Sequence, residues 1–220
     1  GRRQQVHVAD DVKEALAQTA NTQEVELDIA DGDRDASADQ AKHAAEILAG
    51  MEPTAIYSSD LDRARTTAQS LADIINVEVI IDTRLRETNG GNWEGKTGAQ
   101  NRQEDFDNFV KWIDGHDNPA GVVGERRSEV AMRARAAITD ALGDKSDQLI
   151  VFTTHGGTAR CVLGDFLELP LTHWAKIGGL SNASWSILTQ SPNKGWYLEE
   201  HNAGSIPEEL LGVESGSTTN

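Results

Sequence analysis

A continuous apolar run over residues 149–154, LIVFTT, constrains the fold of this chain more than any other feature of its sequence. Such a run is typical of a strand that is covered on both faces, as strands of a parallel sheet are. His155, Gly156 and Gly157 follow it directly, and a helical pattern of apolar residues then continues to Leu167. Because a buried strand followed by a helix is the repeating unit of α/β proteins, the run predicts a buried, largely parallel sheet.

Strand-like and helix-like segments alternate on both sides of this run. Small apolar residues recur at helical spacing from residue 39, and a second helix follows a predicted strand over 55–59, with Ser59 or Asp60 as its cap. Further predicted elements are a buried strand over 77–82, a short helix over 106–113, a helix over 128–142 and two late strands over 183–189 and 196–201. We therefore predict an α/β three-layer sandwich with a mostly parallel central sheet.

The predicted elements fit one domain over residues 1–205, with a flexible tail over 206–220 that ends in SGSTTN. Residues 1–38 are atypical, because the regular alternation of elements begins only after them.

Three polar residues each follow a predicted strand. Arg63 comes after the strand over 55–59, Glu87 after the strand over 77–82, and His155 after the apolar run. In open α/β sheets, ligands bind outside the carboxyl ends of the strands, so we expect these side chains to converge there. An arginine fork suits phosphate oxygens, and the free N–H groups at Gly156 and Gly157 favour an anion. The set suits phosphoryl transfer better than acyl transfer.

Each of these residues also has an ordinary structural explanation. Arg63 alone could be a surface helix residue, Glu87 a solvated or ion-paired carboxylate, and His155 a hydrogen-bonded core histidine. Their shared position at one predicted sheet edge favours the functional interpretation. We predict no metal site, since metal-like spacing is missing among the other histidines, His7, His43, His116, His173 and His201.

The charge of the chain excludes some classes of partner. Its net charge of -16 argues against nucleic acid, which needs a basic surface, and an anionic substrate would need a locally positive pocket. Cys161 is the single cysteine, so no intrachain disulfide can form. The sequence has no apolar run of about 18 residues and no apolar segment of the signal-peptide type at its start. We expect a cytoplasmic protein without a membrane partner.

Several ordered blocks resemble the histidine phosphatase (phosphoglycerate-mutase-like) superfamily. Residues 58–68 (SSDLDRARTTA) are similar to its Ser-Ser-Asp-Leu-x-Arg-Ala signature, and residues 84–95 (RLRETNGGNWEG) are similar to its next block. Residues 154–157 (THGG) resemble its second-histidine block, and residues 178–185 (GGLSNASW) are most similar to the glucosyl-3-phosphoglycerate phosphatase branch. The resemblance covers roughly residues 39–202.

The resemblance implies a role for each matching position. Arg63 would bind the transferring phosphoryl group together with His155 and Gly156, and His155 would stabilise its developing charge. Glu87 would protonate the leaving oxygen and later activate water. The family uses no metal or organic cofactor, so none is implied here. The implied substrate is a small phosphorylated metabolite, either a sugar-phosphate acid or a phosphoglycerate-like ester, and a homodimer is the implied assembly.

The nucleophile of the family is missing from this sequence. Its histidine stands in an Arg-His-Gly motif at the end of the first strand, which would fall near residues 8–10 here, but the motif is absent. The nearby histidine is His7, which lies two residues before that position. Three explanations stay open: a catalytically inactive pseudo-phosphatase that binds a phospho-ligand, a displaced nucleophile at His7, or a non-native sequence over residues 1–38. Phosphoglycerate mutase activity is the alternative to hydrolysis.

Overall fold

The computed structural model describes residues 23–29, 34–144 and 146–204, with side chains from residue 39 onward. The predictions about His7 and about a flexible tail over 206–220 therefore lie outside the described residues.

Within these residues, six strands form one sheet. They are β1 (Gln23–Ile29), β2 (Ala55–Ser58), β3 (Val79–Ile81), β4 (Gln148–Thr154), β5 (Trp185–Ser191) and β6 (Gly195–Ala203). The sheet order is β3-β2-β4-β1-β5-β6, in which the first four strands are parallel to one another and β5 is antiparallel to β1 and β6. The prediction of a mostly parallel sheet is confirmed.

Helices cover both faces of this sheet. They are α1 (Arg34–Ala49), α2 (Asp62–Ile75), α3 (Gly98–Glu104), α4 (Phe106–Ile113), α5 (Arg127–Leu142), α6 (Gly156–Phe166) and α7 (Leu171–Trp174). None of the helices in the described ranges is long and apolar enough to cross a membrane.

The buried side chains of β4 explain the layering, because successive residues of a strand point to opposite faces. Val151 packs with Leu48 of α1 and Leu71 of α2 on one face. Phe152 packs with Ile138 of α5 and Val162 of α6 on the other. The chain therefore forms the predicted three-layer α/β sandwich, with β4 at the centre of its core.

Two local predictions were wrong. The strand predicted as buried over 77–82 is β3, the last strand of the sheet, and its Ile80 and Ile81 are each 45% exposed. Apolar alternation does not distinguish an edge strand from an interior one. Neither Ser59 nor Asp60 is the cap residue of α2, since that position is Leu61, whose N–H donates to Ser59 Oγ at 3.2 Å.

One strand and two α-helices were not predicted. The strand beside β4 is β1, from the acidic stretch QEVELDI. Of the helices, α3 precedes the short helix that was expected at α4, and α7 follows α6. Thr97 and Gln100 form a capping box at the start of α3, and this pair is a sequence signal for a helix.

Glycines fix the connection between β3 and α5. A Cβ at Gly124 would lie 2.2 Å from the carbonyl oxygen of Asn89, and a Cβ at Gly121 would lie 2.2 Å from that of Gly90. Both distances are far below van der Waals contact, so side chains are excluded and the two loops lie backbone against backbone. Gly91 and Gly121 also have positive φ angles of 56° and 50°.

We predict that Gly164→Ala destabilises the fold. A Cβ at Gly164 would lie 2.4 Å from Cδ1 of the buried Trp174, which has no room to move. The clash should outweigh the higher helix propensity of alanine and lower the free energy of unfolding by about 1–2 kcal/mol in urea titrations. Gly98→Ala is the control, because its Cβ would meet its nearest neighbour at an ordinary 3.8 Å. Equal stability of the two variants would contradict this packing.

Candidate active site

The carboxyl edge of the parallel strands brings together the three residues that the sequence singled out. Arg63 lies in the first turn of α2, which follows β2, and its Nε donates to Nδ1 of His155 at 3.1 Å. His155 is the N-cap residue of α6, directly after β4. Glu87, which follows β3 and a short 3-10 turn, contacts the first turn of α6 through its carboxylate. Three chain segments distant in sequence thus meet at one point.

His155 is held as a neutral, buried imidazole. The residue is only 1% exposed, and its Nε2 lies 2.9 Å from Ser59 Oγ. Because Nδ1 accepts from Arg63, the ring hydrogen must be on Nε2, which then donates to the Ser59 hydroxyl. Burial, followed by the charges of Arg63 and Arg133, lowers the pKa of His155 from 6.5 to about 3. The ring is therefore uncharged at neutral pH.

Glu87 occupies the N-terminus of α6. Its Oε1 accepts from the N–H groups of Thr88 at 2.7 Å and Thr158 at 3.2 Å, and its Oε2 accepts from the N–H of Gly157 at 3.1 Å. The Gly157 N–H, which the sequence suggested for a ligand anion, is bound to this carboxylate instead. Gly156, the predicted phosphate-binding residue, is the first residue of α6 and is half-buried.

Gly157 is needed for this arrangement. A Cβ at this position would lie 2.5 Å from Oε1 of Glu87. The missing side chain at Gly157 therefore lets the carboxylate of Glu87 approach the start of α6. The sequence had suggested a ligand anion at this position instead.

Side chains hold the backbone on both sides of Glu87. The Nη1 of Arg133 donates to the carbonyl of Arg84 at 2.6 Å, and its Nη2 donates to that of Glu87 at 3.2 Å. The hydroxyls of Thr154 and Thr158 donate to the carbonyls of Leu85 and Arg86, each at 2.7 Å. Every carbonyl from residue 84 to residue 87 thus accepts a bond from a side chain, which fixes the position of Glu87.

Sequence reasoning missed Arg133 and its partner Glu125. Arg133 Nε donates to Glu125 Oε1 at 2.7 Å, and Glu125 Oε2 accepts from the N–H of Asn89 at 2.8 Å. Glu125 belongs to the segment 122–127 (VVGERR), which follows no predicted strand, so the rule that selected Arg63, Glu87 and His155 did not select it.

The cations at this edge differ in how they are paired. Arg86 forms an ion pair with Asp60, and the hydrogen bond from Arg86 lowers the pKa of the Asp60 carboxyl. Arg63 is exposed and forms no ion pair with a described carboxylate, so its Nη groups are open to an anionic ligand. Across the ranges that the structure covers, no cluster of acidic, cysteine or histidine side chains could hold a metal ion.

The strand beside His155 brings no histidine. β1 ends at Ile29, which pairs with Thr154, the residue before His155. The sequence from residue 8 to residue 42 contains no histidine. The sheet edge offers an exposed guanidinium and a carboxylate, but the described residues include no nitrogen nucleophile at the end of β1.

Comparison with known proteins gives consistent matches. The family model of the histidine phosphatase superfamily (branch 1) matches residues 34–204. Glucosyl-3-phosphoglycerate phosphatase of Mycobacterium tuberculosis is 37% identical over 159 residues, which cover 68% of this chain and 70% of that protein. The structure of the mycobacterial glucosyl-3-phosphoglycerate phosphatase with inorganic phosphate has a TM-score of 0.74 at 31% identity, covering 84% of this chain and 98% of that one. A probable phosphoglycerate mutase GpmB of Photorhabdus laumondii is 31% identical over 173 residues, which cover 76% of this chain and 78% of that protein.

The pKa of His155 generates a prediction about stability. The unfolded chain takes up a proton on this residue below pH 6.5, whereas the folded chain does so only near pH 3. Stability is therefore lost as the pH falls below 6.5, and between about pH 7 and pH 5 the loss from this residue should be about 2 kcal/mol.

Urea unfolding of the native chain and of His155→Gln at several pH values in this range measures the effect. The free energy of unfolding of the native chain should fall more steeply than that of the variant, which has no ring to protonate. Carboxylates titrate at lower pH in both proteins and cancel in the comparison. Parallel curves would show that His155 is not held neutral by burial.

Proposed function

We propose that this chain, which belongs to branch 1 of the histidine phosphatase superfamily, is a phosphomonoesterase acting on a small phosphorylated sugar acid. The observation that carries the proposal is the meeting of Arg63, Glu87 and His155 at the carboxyl edge of the sheet. The glucosyl-3-phosphoglycerate phosphatases among its relatives support this class of substrate, with phosphoglycerate-like esters as the next choice. No metal or organic cofactor is part of the proposal.

Each of the three residues has a proposed part in binding or proton transfer. The open Nη groups of Arg63 bind the oxygens of the phosphoryl group, with the first N–H groups of α6 near Gly156 beside them. His155, being neutral, orients Arg63 through Nδ1 and adds no second positive charge, while its Nε2–H is held by Ser59. Glu87 gives a proton to the leaving oxygen, from a position fixed by three backbone N–H groups.

The missing nucleophile supports a second candidate, a pseudo-phosphatase that binds a phospho-ligand without cleaving it. Covalent transfer needs an attacking nitrogen within about 3.5 Å of the phosphorus, in line with the leaving oxygen. The Arg-His-Gly motif is absent from the sequence, and the strand whose end it would follow, β1, ends at Ile29 rather than near residues 8–10, so His7 lies 22 residues before that end. Hydrolysis therefore requires either that His7 takes this role or that the native sequence over residues 1–38 differs.

Intact-protein mass spectrometry followed by a phosphate-release assay separates these cases. On protein of verified mass, turnover of glucosyl-3-phosphoglycerate that disappears in His7→Ala would identify His7 as the nucleophile. Glu87→Gln should lower turnover by about 10²–10⁴-fold, the usual contribution of a general acid. Glu78→Gln, the same change at an exposed carboxylate, is the control and should change nothing.

Other outcomes decide against hydrolysis. Binding of inorganic phosphate without any release would establish the pseudo-phosphatase. Full activity in Glu87→Gln, or no affinity for phosphate at all, would contradict the proposed site. Interconversion of phosphoglycerates without hydrolysis would establish the mutase alternative.

The proposed assembly is a homodimer formed through β3. This strand is the last in the sheet, its Ile80 and Ile81 are exposed, and Ile74 of α2 is exposed as well. An apolar edge strand is a template for pairing with a second copy.

We also propose a cytoplasmic location, with which the buried, single thiol of Cys161 is consistent.

Size-exclusion chromatography with light scattering tests the dimer. Ile80→Lys should shift the protein to the mass of a monomer, because a charge at the paired edge is costly to bury. Val123→Lys, which makes the same change at an exposed apolar residue of a loop, should leave the mass unchanged. A monomeric native protein would refute this assembly.

A further inference from the structure

Two arginines near the site lack the carboxylate partners that the neighbouring arginines have. Arg84, Arg133 and Arg135 each form an ion pair with an acidic side chain. Arg127 and Arg160 form none with the carboxylates that the structure describes. In a chain with a net charge of -16, where acidic side chains are plentiful, unpaired and largely buried cations are unexpected. Burying a charge without a partner is costly, so an anion is expected to complete the pairing.

Arg127 is fixed in place but keeps donors free. It is only 5% exposed, its guanidinium carbon lies 3.8 Å from the centre of the Trp112 ring, and its Nη1 donates to the carbonyl of His116 at 3.1 Å. Burial lowers the pKa of Arg127, the nearby charge of Arg160 lowers it further, and Asp117, which forms no ion pair with Arg127, offsets this only in part. The aromatic ring and one carbonyl orient the guanidinium without neutralising it.

The topology places Arg127 at the same edge as His155. Arg127 is the first of 16 residues of α5, and Gln148 at the start of β4 donates to the carbonyl of Leu142 at the end of α5. The helix therefore runs antiparallel to β4. A helix of this length spans about 24 Å and the seven residues of β4 span about 23 Å, so the helix begins level with the end of the strand.

Arg160 approaches the same region from α6. Val130 and Ala131, one turn after Arg127, pack against Cys161, which directly follows Arg160. The Nη2 of Arg160 would lie 3.5 Å from a Cβ at Gly179, so the guanidinium lies along the exposed loop of Gly178 and Gly179. Its Nε is buried and has no hydrogen-bond partner among the described residues.

We propose that Arg127 and Arg160 form a second anion subsite, which binds the carboxylate of a phosphorylated sugar acid while Arg63 binds its phosphoryl group. The planar fork of arginine matches a carboxylate, and the acid group is the second anion that such a substrate carries. This inference rests on the proposed function, because it assigns a part of the same substrate.

Calorimetric titration with two probes that differ in the acid group tests the subsite. 3-Phosphoglycerate carries a carboxylate where glycerol 3-phosphate carries a hydroxymethyl group. The native protein should bind 3-phosphoglycerate about tenfold more tightly or better, as expected for a charge-assisted contact. Arg160→Gln should bring the two affinities together while the affinity for inorganic phosphate stays the same. Arg127→Lys, which keeps the charge but loses the fork, should reduce the preference partly.

Arg102→Gln is the matched control. Arg102 is exposed on α3, and its replacement changes the net charge by the same amount, so a preference that falls equally in this variant would reflect only long-range electrostatics and would overturn the proposal. Equal affinity of the native protein for the two probes, including no binding of either, would also overturn it. An Arg160→Gln variant with lower thermal stability and unchanged preference would overturn it as well, because Arg160 would then serve the fold and not the ligand.

The titration tests the subsite and the phosphate-release assay tests the hydrolysis, so the two proposals can be refuted independently. A protein that prefers 3-phosphoglycerate but releases no phosphate keeps the subsite and loses the proposed hydrolysis. A protein that hydrolyses phosphoesters without this preference keeps its proposed function and loses the subsite.

Discussion

The hydrogen bonds that hold the backbone from Arg84 to Glu87 support the rest of the candidate site. They come from α5 through Arg133, from β4 through Thr154 and from α6 through Thr158. Three elements of the core therefore determine where one carboxylate lies. Because Arg133 also binds Glu125, the connection between β3 and α5 is joined to the same set of bonds. Losing one donor would leave a carbonyl unsatisfied in a place that water reaches poorly, at a cost of about 1–3 kcal/mol.

The charges of the site follow from burial rather than from composition. The chain as a whole is acidic, yet the edge where β2 and β4 end presents Arg63 to solvent and holds His155 uncharged. A protonated His155 would place a second cation, itself buried, next to the exposed Arg63. The neutral ring instead accepts a hydrogen bond from the arginine and leaves one positive charge for an anionic ligand.

Local patterns were sufficient to predict the elements that carry the site. The apolar run of β4 and the glycines after it indicated a buried strand that ends at a helix, and the order of strands and helices indicated a parallel sheet. The strand ends then placed Arg63, Glu87 and His155 at one edge, and the structure brings them together. The supporting residues could not be predicted in this way, because Arg133, Thr154 and Thr158 contact carbonyls 46 to 72 residues away. Apolar alternation likewise did not show that β3 lies at the edge of the sheet, and the acidic sequence of β1 concealed a central strand.

The position of Glu87 at the start of α6 links its carboxylate to the electrostatics of that helix. The carboxylate supplies the negative charge that the positive end of the helix dipole favours, and it accepts the N–H groups of Gly157 and Thr158. These two donors are therefore satisfied by the protein itself. An anion that binds beside Gly156 meets a helix end that already has one anionic partner, so the dipole is shared between the ligand and Glu87.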